Sequence, residues 1–568
     1  MNRNQSKQLF LALTFSLFYT VLVFFGMRWH GLDAYSWTSS KAAFAAFLSI
    51  TFLALSALAF FLLRQPVPLP EGGGTRDERM APLRAKPILL GALFLFACWV
   101  PWIALQFPAA MTGDTYLQLI QYCSDPPVYY AICDGTLDSK YVDHHPVFDG
   151  IVFGLFVSLG NVLGSQNLGL LIYSVLQSAG TALCLSLSCF YVKRIGTPRF
   201  VPFLLLGLCA AIPLIPLSAT SMIKDSLFSP FFILFFIFVI EICLTKGACL
   251  ATKKNFLLFF LVIVLLCLTK KTGVYLAIGA LIVVAIFVAP FRKHALVAGV
   301  ASYVLTAILI PAIVWPLIGG VAPGGKQEML GVLFQQSVTA AVEHPESLSE
   351  DDRRAINSVI DLDAAIEKFD PTIVDPVKAQ FRTKCSTGDL LSYLSTYIKL
   401  GLQHPDSYAK SIGKVVIRMI APVEHFGTHY RCETVLNNED KALYYELDGA
   451  YDLSFEKPEE LAKIDRLIQI DISNLAYEIP WFGWVSTKGL YGGLVPLLAF
   501  IVLARHRGLK ETVAILSPVI ISFLLLFVSP ASSGRYIIPF LYVAPLLIGL
   551  IIWSRQPQIA KANVNAHD

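Results

Sequence analysis

The sequence predicts an all-α polytopic membrane protein with about 12 transmembrane helices and a mainly helical domain outside the bilayer. Three observations predict it. Of 568 residues, 55% are hydrophobic and only 15% charged, against roughly 25% charged in soluble globular chains. Apolar runs of span length, about 20 residues, recur along the chain. Charge is also divided unevenly. Between residues 320 and 480 there are 26 Asp plus Glu against 16 Lys plus Arg, while the remainder carries 28 basic against 14 acidic residues. An acidic, water-exposed domain therefore interrupts a membrane body with basic loops, a balance that argues against nucleic acid as a partner.

The first run, 8–26, is too long for a signal-peptide core and lacks a small-residue cleavage site, so it reads as a span. Further spans fall near 43–63, 87–107, 168–191, 200–219, 226–244, 255–269, 274–290, 296–318, 488–504, 512–529 and 536–553. The run 147–164 is short and holds Asp149, Asn161 and four glycines, so it is expected to lie along the interface. With that choice the basic connections collect on one side, the positive-inside pattern. Both termini, with the tail 554–568, are then cytoplasmic, and the protein belongs in the cell membrane. Loop 108–167 and the acidic domain 319–485 are extracytoplasmic.

Within that domain, "SLSEDDRRAINSVIDLDAAIEKF" reads as one solvated helix capped by Ser349 and stopped at Asp370–Pro371. A second helix begins near Pro405 and carries Ile412, Val415, Val416 and Met419 at helical spacing.

The outer connections hold charge that topology does not require: Lys224 with Asp225, Lys270 with Lys271, and Arg535. A single Lys or Arg at a helix end snorkels to the interface. Four basic residues in three outer loops instead fit a lipid-linked phosphate or pyrophosphate. Asp114, in "MTGDTY", suits a base that takes a proton from an acceptor hydroxyl, or a metal ligand, and equally an N-terminal cap for the helix that follows. Asp143, His144 and His145 precede Pro146, which holds His145 extended and sends the two imidazoles to opposite faces. One imidazole then donates to phosphate or sugar while Asp143 orients it or shares a cation. Asp114 and Asp143 are the residues offered to a divalent cation, Mg2+ or Mn2+, the one cofactor expected. Gln335 and Gln336 stand at the membrane exit, where amides contact a sugar or end a helix. An oxidising exterior permits disulfides Cys123–Cys133 and Cys385–Cys432.

The combination of Gly113–Asp114, the Asp143–Pro146 tetrapeptide and Lys224–Ser226 resembles integral-membrane glycosyltransferases of the GT-C fold. It is most similar to an uncharacterised bacterial branch with a Gln-Gln segment after the central spans, here Gln335 and Gln336, and a late motif matched by Arg535, Tyr536 and Pro539. The resemblance covers roughly residues 87–553: a membrane module at 87–318, the inserted domain, and C-terminal spans within 486–553, with the two spans of 1–63 as an addition. It implies transfer of a sugar, with inversion, from a polyprenyl-phosphate donor to an envelope glycan, lipid or protein. Asp114 and Asp143 would be the catalytic carboxylates. His144, His145, Lys224, Asp225, Lys271, Gln335, Gln336, Arg535 and Tyr536 would bind substrate. A multi-span transporter or flippase of an envelope precursor is the alternative, since polar Asn161, Gln166, Asn167 and Gln177 could line a path.

Overall fold

The computed structural model describes residues 3–30, 40–64, 82–123, 139–426, 453–478 and 483–556. The protein is an all-α, multi-pass membrane protein. Among the described residues, eight helices are long and apolar enough to cross a bilayer, and a ninth crossing results if one bent pair counts as a span. In lipid every backbone N–H and C=O must be paired within the segment, which is why the apolar runs form helices.

Ordered along the chain, the helices of the membrane body are α1 (Arg3–His30), α2 (Lys41–Leu63), α3 (Ala85–Leu105), α4 (Gly113–Cys123), α5 (Val147–Val162), α6 (Gln166–Arg194), α7 (Val201–Ala211), α8 (Leu214–Ala219), α9 (Lys224–Thr245), α10 (Lys253–Thr269), α11 (Lys271–Phe287) and α12 (Ala289–Leu317). The inserted domain contributes α13 (Gln327–Glu343), α14 (Glu350–Asn357), α15 (Thr387–Gln403), α16 (Pro405–Ile420) and α17 (Glu459–Glu478). The chain returns through α18 (Leu490–Arg507), the bent pair α19 (Leu509–Ile515) and α20 (Ser517–Val528), and α21 (Gly534–Ser554). The pair is bent by 68°.

Helix α21 is the axis of the body, almost wholly buried against α6, α9 and α18. By contrast α12 is peripheral, little of it buried, and includes a π-helical stretch over Val304–Val314 that contains Pro311. Helix α5 packs between α4 and α6. Its first turn follows His145, which meets Lys224, and its last turn leads to Gln166, whose side chain accepts from the backbone N–H of Ser454 in the inserted domain. Both ends thus lie near residues of the outer connections or the inserted domain.

Two features of the inserted domain depart from expectation. The stretch 348–370 is two helices, because Ile356, Val359 and Ile360 turn into the core and Asp361 starts a new helix by accepting from the Ala364 N–H at 3.2 Å. Ser349 does cap α14, in a reciprocal capping box with Asp352. Helix α16, expected on a solvated domain, buries Val415, Val416 and Met419 in the main membrane core, and Tyr19 of α1 donates to the carbonyl of Ile420 at 3.2 Å. The domain also has a small core of its own, around Phe334, Ile360, Tyr393 and Leu400.

One short parallel pairing ties the domain to the loop before α5. β1 (Tyr141–Asp143) matches β2 (Val321–Pro323), with Tyr141 opposite Val321 and Asp143 opposite Pro323. Gly319 and Gly320 lead into β2 with φ of 98° and 85°, a backbone that side chains disfavour, and their carbonyls accept from Lys140 and Tyr141. Cys133 and Cys432 lie outside the described residues, and with them both expected disulfides.

Candidate functional site

The loop after α3 and the segment before α9 are zipped together. The Met222 N–H donates to the Ala110 carbonyl at 2.7 Å, and the Thr115 hydroxyl donates to the Met222 carbonyl at 2.6 Å. This register places Asp114, in the first turn of α4, beside Lys224, the first residue of α9. Lys224 Nζ donates to Asp114 Oδ2 at 2.9 Å, and Arg535, from the first turn of α21, donates to the same oxygen. Asp114 therefore serves as an anchor for two cations from opposite ends of the chain.

His145 completes the group. Its Nδ1 lies 3.1 Å from Lys224 Nζ, and because an ammonium only donates, Nδ1 accepts and the ring proton sits on Nε2, a tautomer assigned from the hydrogen-bond network. That Nε2 is buried, without a hydrogen-bond partner among the described residues, and 3.8 Å from Asp114 Oδ1. Burial raises the Asp114 carboxyl, but the positive charges of Lys224 and Arg535 outweigh it and hold the group well below the usual carboxylate range. Burial and the Lys224 charge push the His145 imidazole well below its usual value. The site accordingly contains a carboxylate, two cations and a neutral imidazole with its N–H unengaged.

A second layer surrounds it. Asp225 is fully buried, with Oδ1 2.5 Å from Lys270 Nζ and Oδ2 without a hydrogen-bond partner among the described residues. The Lys270 ammonium also lies over the rings of Phe228 and Tyr536, 5.4 and 5.5 Å from their centroids, and the Arg535 guanidinium lies 5.3 Å from the Tyr536 centroid. Lys271 points the other way, 3.1 Å from Asp143 Oδ2, and donates to the Asp143 carbonyl. Contrary to the expectation of opposite faces, the His144 and His145 rings meet edge to face with centroids 4.3 Å apart, because the chain turns after Asp143, and His144 also faces Glu328 of α13 at 3.4 Å. Glu328 in turn holds Lys378 at 2.9 Å.

The structure thus gathers Asp114, His145, Lys224 and Arg535 at one point, with Asp225 and Tyr536 joined through Lys270. Asp143 with Lys271, and His144 with Glu328, flank that point. Gln335 and Gln336 are elsewhere, buried inside the inserted domain. Gln335 donates to the Asp370 carbonyl, and Gln336 donates to the Tyr408 carbonyl while accepting from the Tyr397 hydroxyl. Both amides are engaged in holding that domain together.

Two contributors escape the sequence reading, and Lys270, counted there with Lys271 among the outer cations, is not placed among the substrate-binding residues. Glu328 looked like one more acid in an acidic domain. Asp149, seen only as a polar interruption, is fully buried, and neither carboxylate oxygen has a hydrogen-bond partner among the described residues. A lone acid in an apolar run was the available signal.

The donor set does not fit a divalent cation at Asp114, since a metal there would face the two positive charges already on that carboxylate. Among the described residues no group of three or more His, Cys, Asp or Glu could hold one.

Residues 136–565 match a family model described as a family of unknown function, DUF6020. No curated protein and no solved structure matches the chain. The matched segment includes His145, Lys224, Lys270 and Arg535 and begins after Asp114. Since it covers well over half of the 568 residues, the chain belongs to the DUF6020 family.

Proposed function

We propose that this protein is an inverting membrane glycosyltransferase of the GT-C type, moving a sugar from a polyprenyl-phosphate carrier to an envelope acceptor at the outer face. One observation carries the reading: Lys224, Arg535 and His145 converge on Asp114 at the end of the bundle where the inserted domain sits. The eight long helices, together with 201–219, α10, α11 and the α19–α20 pair, make the 12 spans of this reading.

The chemistry follows from the charges. Asp114 gripped by two cations is a poor base, because a base works best with a pKa near the operating pH. A donor phosphate arriving beside Lys224 and Arg535 competes for both and releases the carboxylate. Asp114 then takes the proton of the acceptor hydroxyl as that oxygen attacks the anomeric carbon. The bond from that carbon to the phosphate oxygen breaks, and polyprenyl phosphate leaves with its charge met by Lys224, Arg535 and the His145 Nε2–H. Donor binding thereby activates the base.

The test uses full-length protein in nanodiscs with a polyprenyl-phosphate-linked sugar series and an envelope extract as acceptor, with release of free polyprenyl phosphate measured. Release by the natural chain and its loss in Asp114→Asn and Lys224→Met supports the reading. Retained release in Asp114→Asn removes the base. Asp149 and Asp225, both wholly buried, favour a second reading, transport of an envelope precursor. That reading predicts movement of the lipid-linked sugar across vesicles with no release.

A further inference from the structure

Arg535 reaches Asp114 from the end of a short connection between α20 and α21, and the inserted domain grips that connection twice. The Val374 N–H donates to the Pro530 carbonyl at 2.8 Å, within an antiparallel bridge of Ile373 to Ala531. Two residues on, Lys488 donates to the carbonyl of Ser532, and the Ser532 hydroxyl donates to Glu424 Oε2 at 3.2 Å.

The second grip is built from buried charge. Lys488 is 1% exposed, and its Nζ lies 2.5 Å from Glu424 Oε2, which also meets Arg418 Nε at 3.2 Å. The Lys488 N–H donates to the Glu424 carbonyl at 3.0 Å, so the two backbones are joined as well. Burial pushes the Lys488 amine down to about 8, against the pull of Glu424. A buried ion pair is a weak source of stability, since well-packed apolar residues often serve as well. What apolar residues cannot supply is a donor aimed at the Ser532 carbonyl, three residues before Arg535.

We propose that Lys488 and Glu424 are positioning residues: through Ser532 they hold the connection so that the Arg535 guanidinium meets Asp114, and the inserted domain thereby sets the geometry of the cationic site. The proposal holds whatever ligand the site takes.

The experiment is a double-mutant cycle of Asp114→Asn and Arg535→Gln, read as Tm of the full-length protein in nanodiscs and built in two backgrounds. In the natural background the double variant should lose less Tm than the two single losses added together, because either substitution alone already breaks the pair. In a Lys488→Met/Glu424→Met background, which removes both charges of that pair and takes the Glu424 carboxylate from Arg418, the losses should become additive. Lys488→Arg, which keeps a cationic donor, should restore the non-additivity. Equal non-additivity in the natural and Met/Met backgrounds would overturn the proposal, as would additivity in the natural chain. If the Met/Met chain does not accumulate, Lys488→Gln against Lys488→Arg makes the same comparison. Tm coupling is independent of sugar transfer, so absent transfer with intact coupling counts only against the glycosyltransferase reading.

Discussion

The two ends of the membrane body use the same residue types in opposite ways. At the end away from the inserted domain, Glu241 accepts from Arg194 Nη2 at 2.5 Å and from the Tyr191 hydroxyl at 2.8 Å, so both its oxygens are engaged. Nearby basic side chains go to main-chain carbonyls at helix ends: Arg507 to Trp553, Arg555 to Phe61, and His506 to Leu62. These contacts lie at the ends of helices, where carbonyls lack intrahelical partners and the helix dipole favours positive charge. At the other end, cations from three separate connections converge on Asp114 and Asp225, while Asp149 and His145 Nε2 have no hydrogen-bond partner among the described residues. At the first end the one carboxylate has both oxygens engaged and ties helices together; at the second, carboxylates and an imidazole leave bonds open among the described residues.

The largest effect should separate the two ends. Asp114→Asn leaves Lys224 and Arg535 without their counter-charge, and removing one partner of a buried pair costs about 3–5 kcal/mol. It should lower Tm and abolish release of polyprenyl phosphate. Glu241→Gln should also lower Tm, by about 2 kcal/mol in stability for a charge-assisted bond, yet leave release intact. Equal loss of release in both variants would erase the distinction.

Lys270→Met comes next. It strands the fully buried Asp225, so a Tm loss of the same class, about 3–5 kcal/mol, is expected. Lys270→Met/Asp225→Leu should recover most of it. A double variant as unstable as the single one would show that the pair acts through more than its charge.

A smaller effect concerns pH. The folded state holds the His145 imidazole below its unfolded value of about 6.5. Below that value the unfolded chain binds the proton first, so stability falls as pH drops from about 6.5 towards the lowered folded value. His145→Gln should flatten Tm across that window. Asp114 acts lower still: its depressed carboxyl contributes stability above about 4, and that contribution is lost as pH falls through the folded value.

The smallest effect is expected at Asp149. Burial raises its carboxyl well above the usual range, against the opposing charge of Lys224. A fully buried, unpartnered acid is neutral, and an amide is close to it in shape and charge. Asp149→Asn should therefore change stability by only about 1 kcal/mol, the ordinary size of a point substitution. A large loss would mean that the group is ionised and that the open end contains one more charge pair.

Much of this was legible before the fold. Eight of the expected spans are long helices, because a window of some 20 apolar residues has no comfortable alternative to a helix in lipid. The 200–219 run broke into α7 and α8, where Pro213 interrupts it, and 512–529 lies within a pair bent at Leu516. Of the site, Lys224 and Arg535 stand out in the sequence as basic residues where topology does not call for them, and Asp114 and His145 as polar groups expected at the mouth of the bundle. Gln335 and Gln336 stand out by their expected place at the membrane exit and by the Gln-Gln resemblance, but they face the interior of their own domain.

The sequence by itself determined that the chain is helical, that it lies in a membrane, and which charged residues sit at span ends. These are local properties, written in apolar run length and charge asymmetry. Only the tertiary structure decided that Asp114 shares one oxygen between Lys224 and Arg535, 110 and 421 residues away. It alone decided that Lys270 belongs to Asp225 and that Lys488 reaches Ser532. A charge's partner depends on which helix ends the packing brings side by side, and no pattern within a run of 20 residues encodes that.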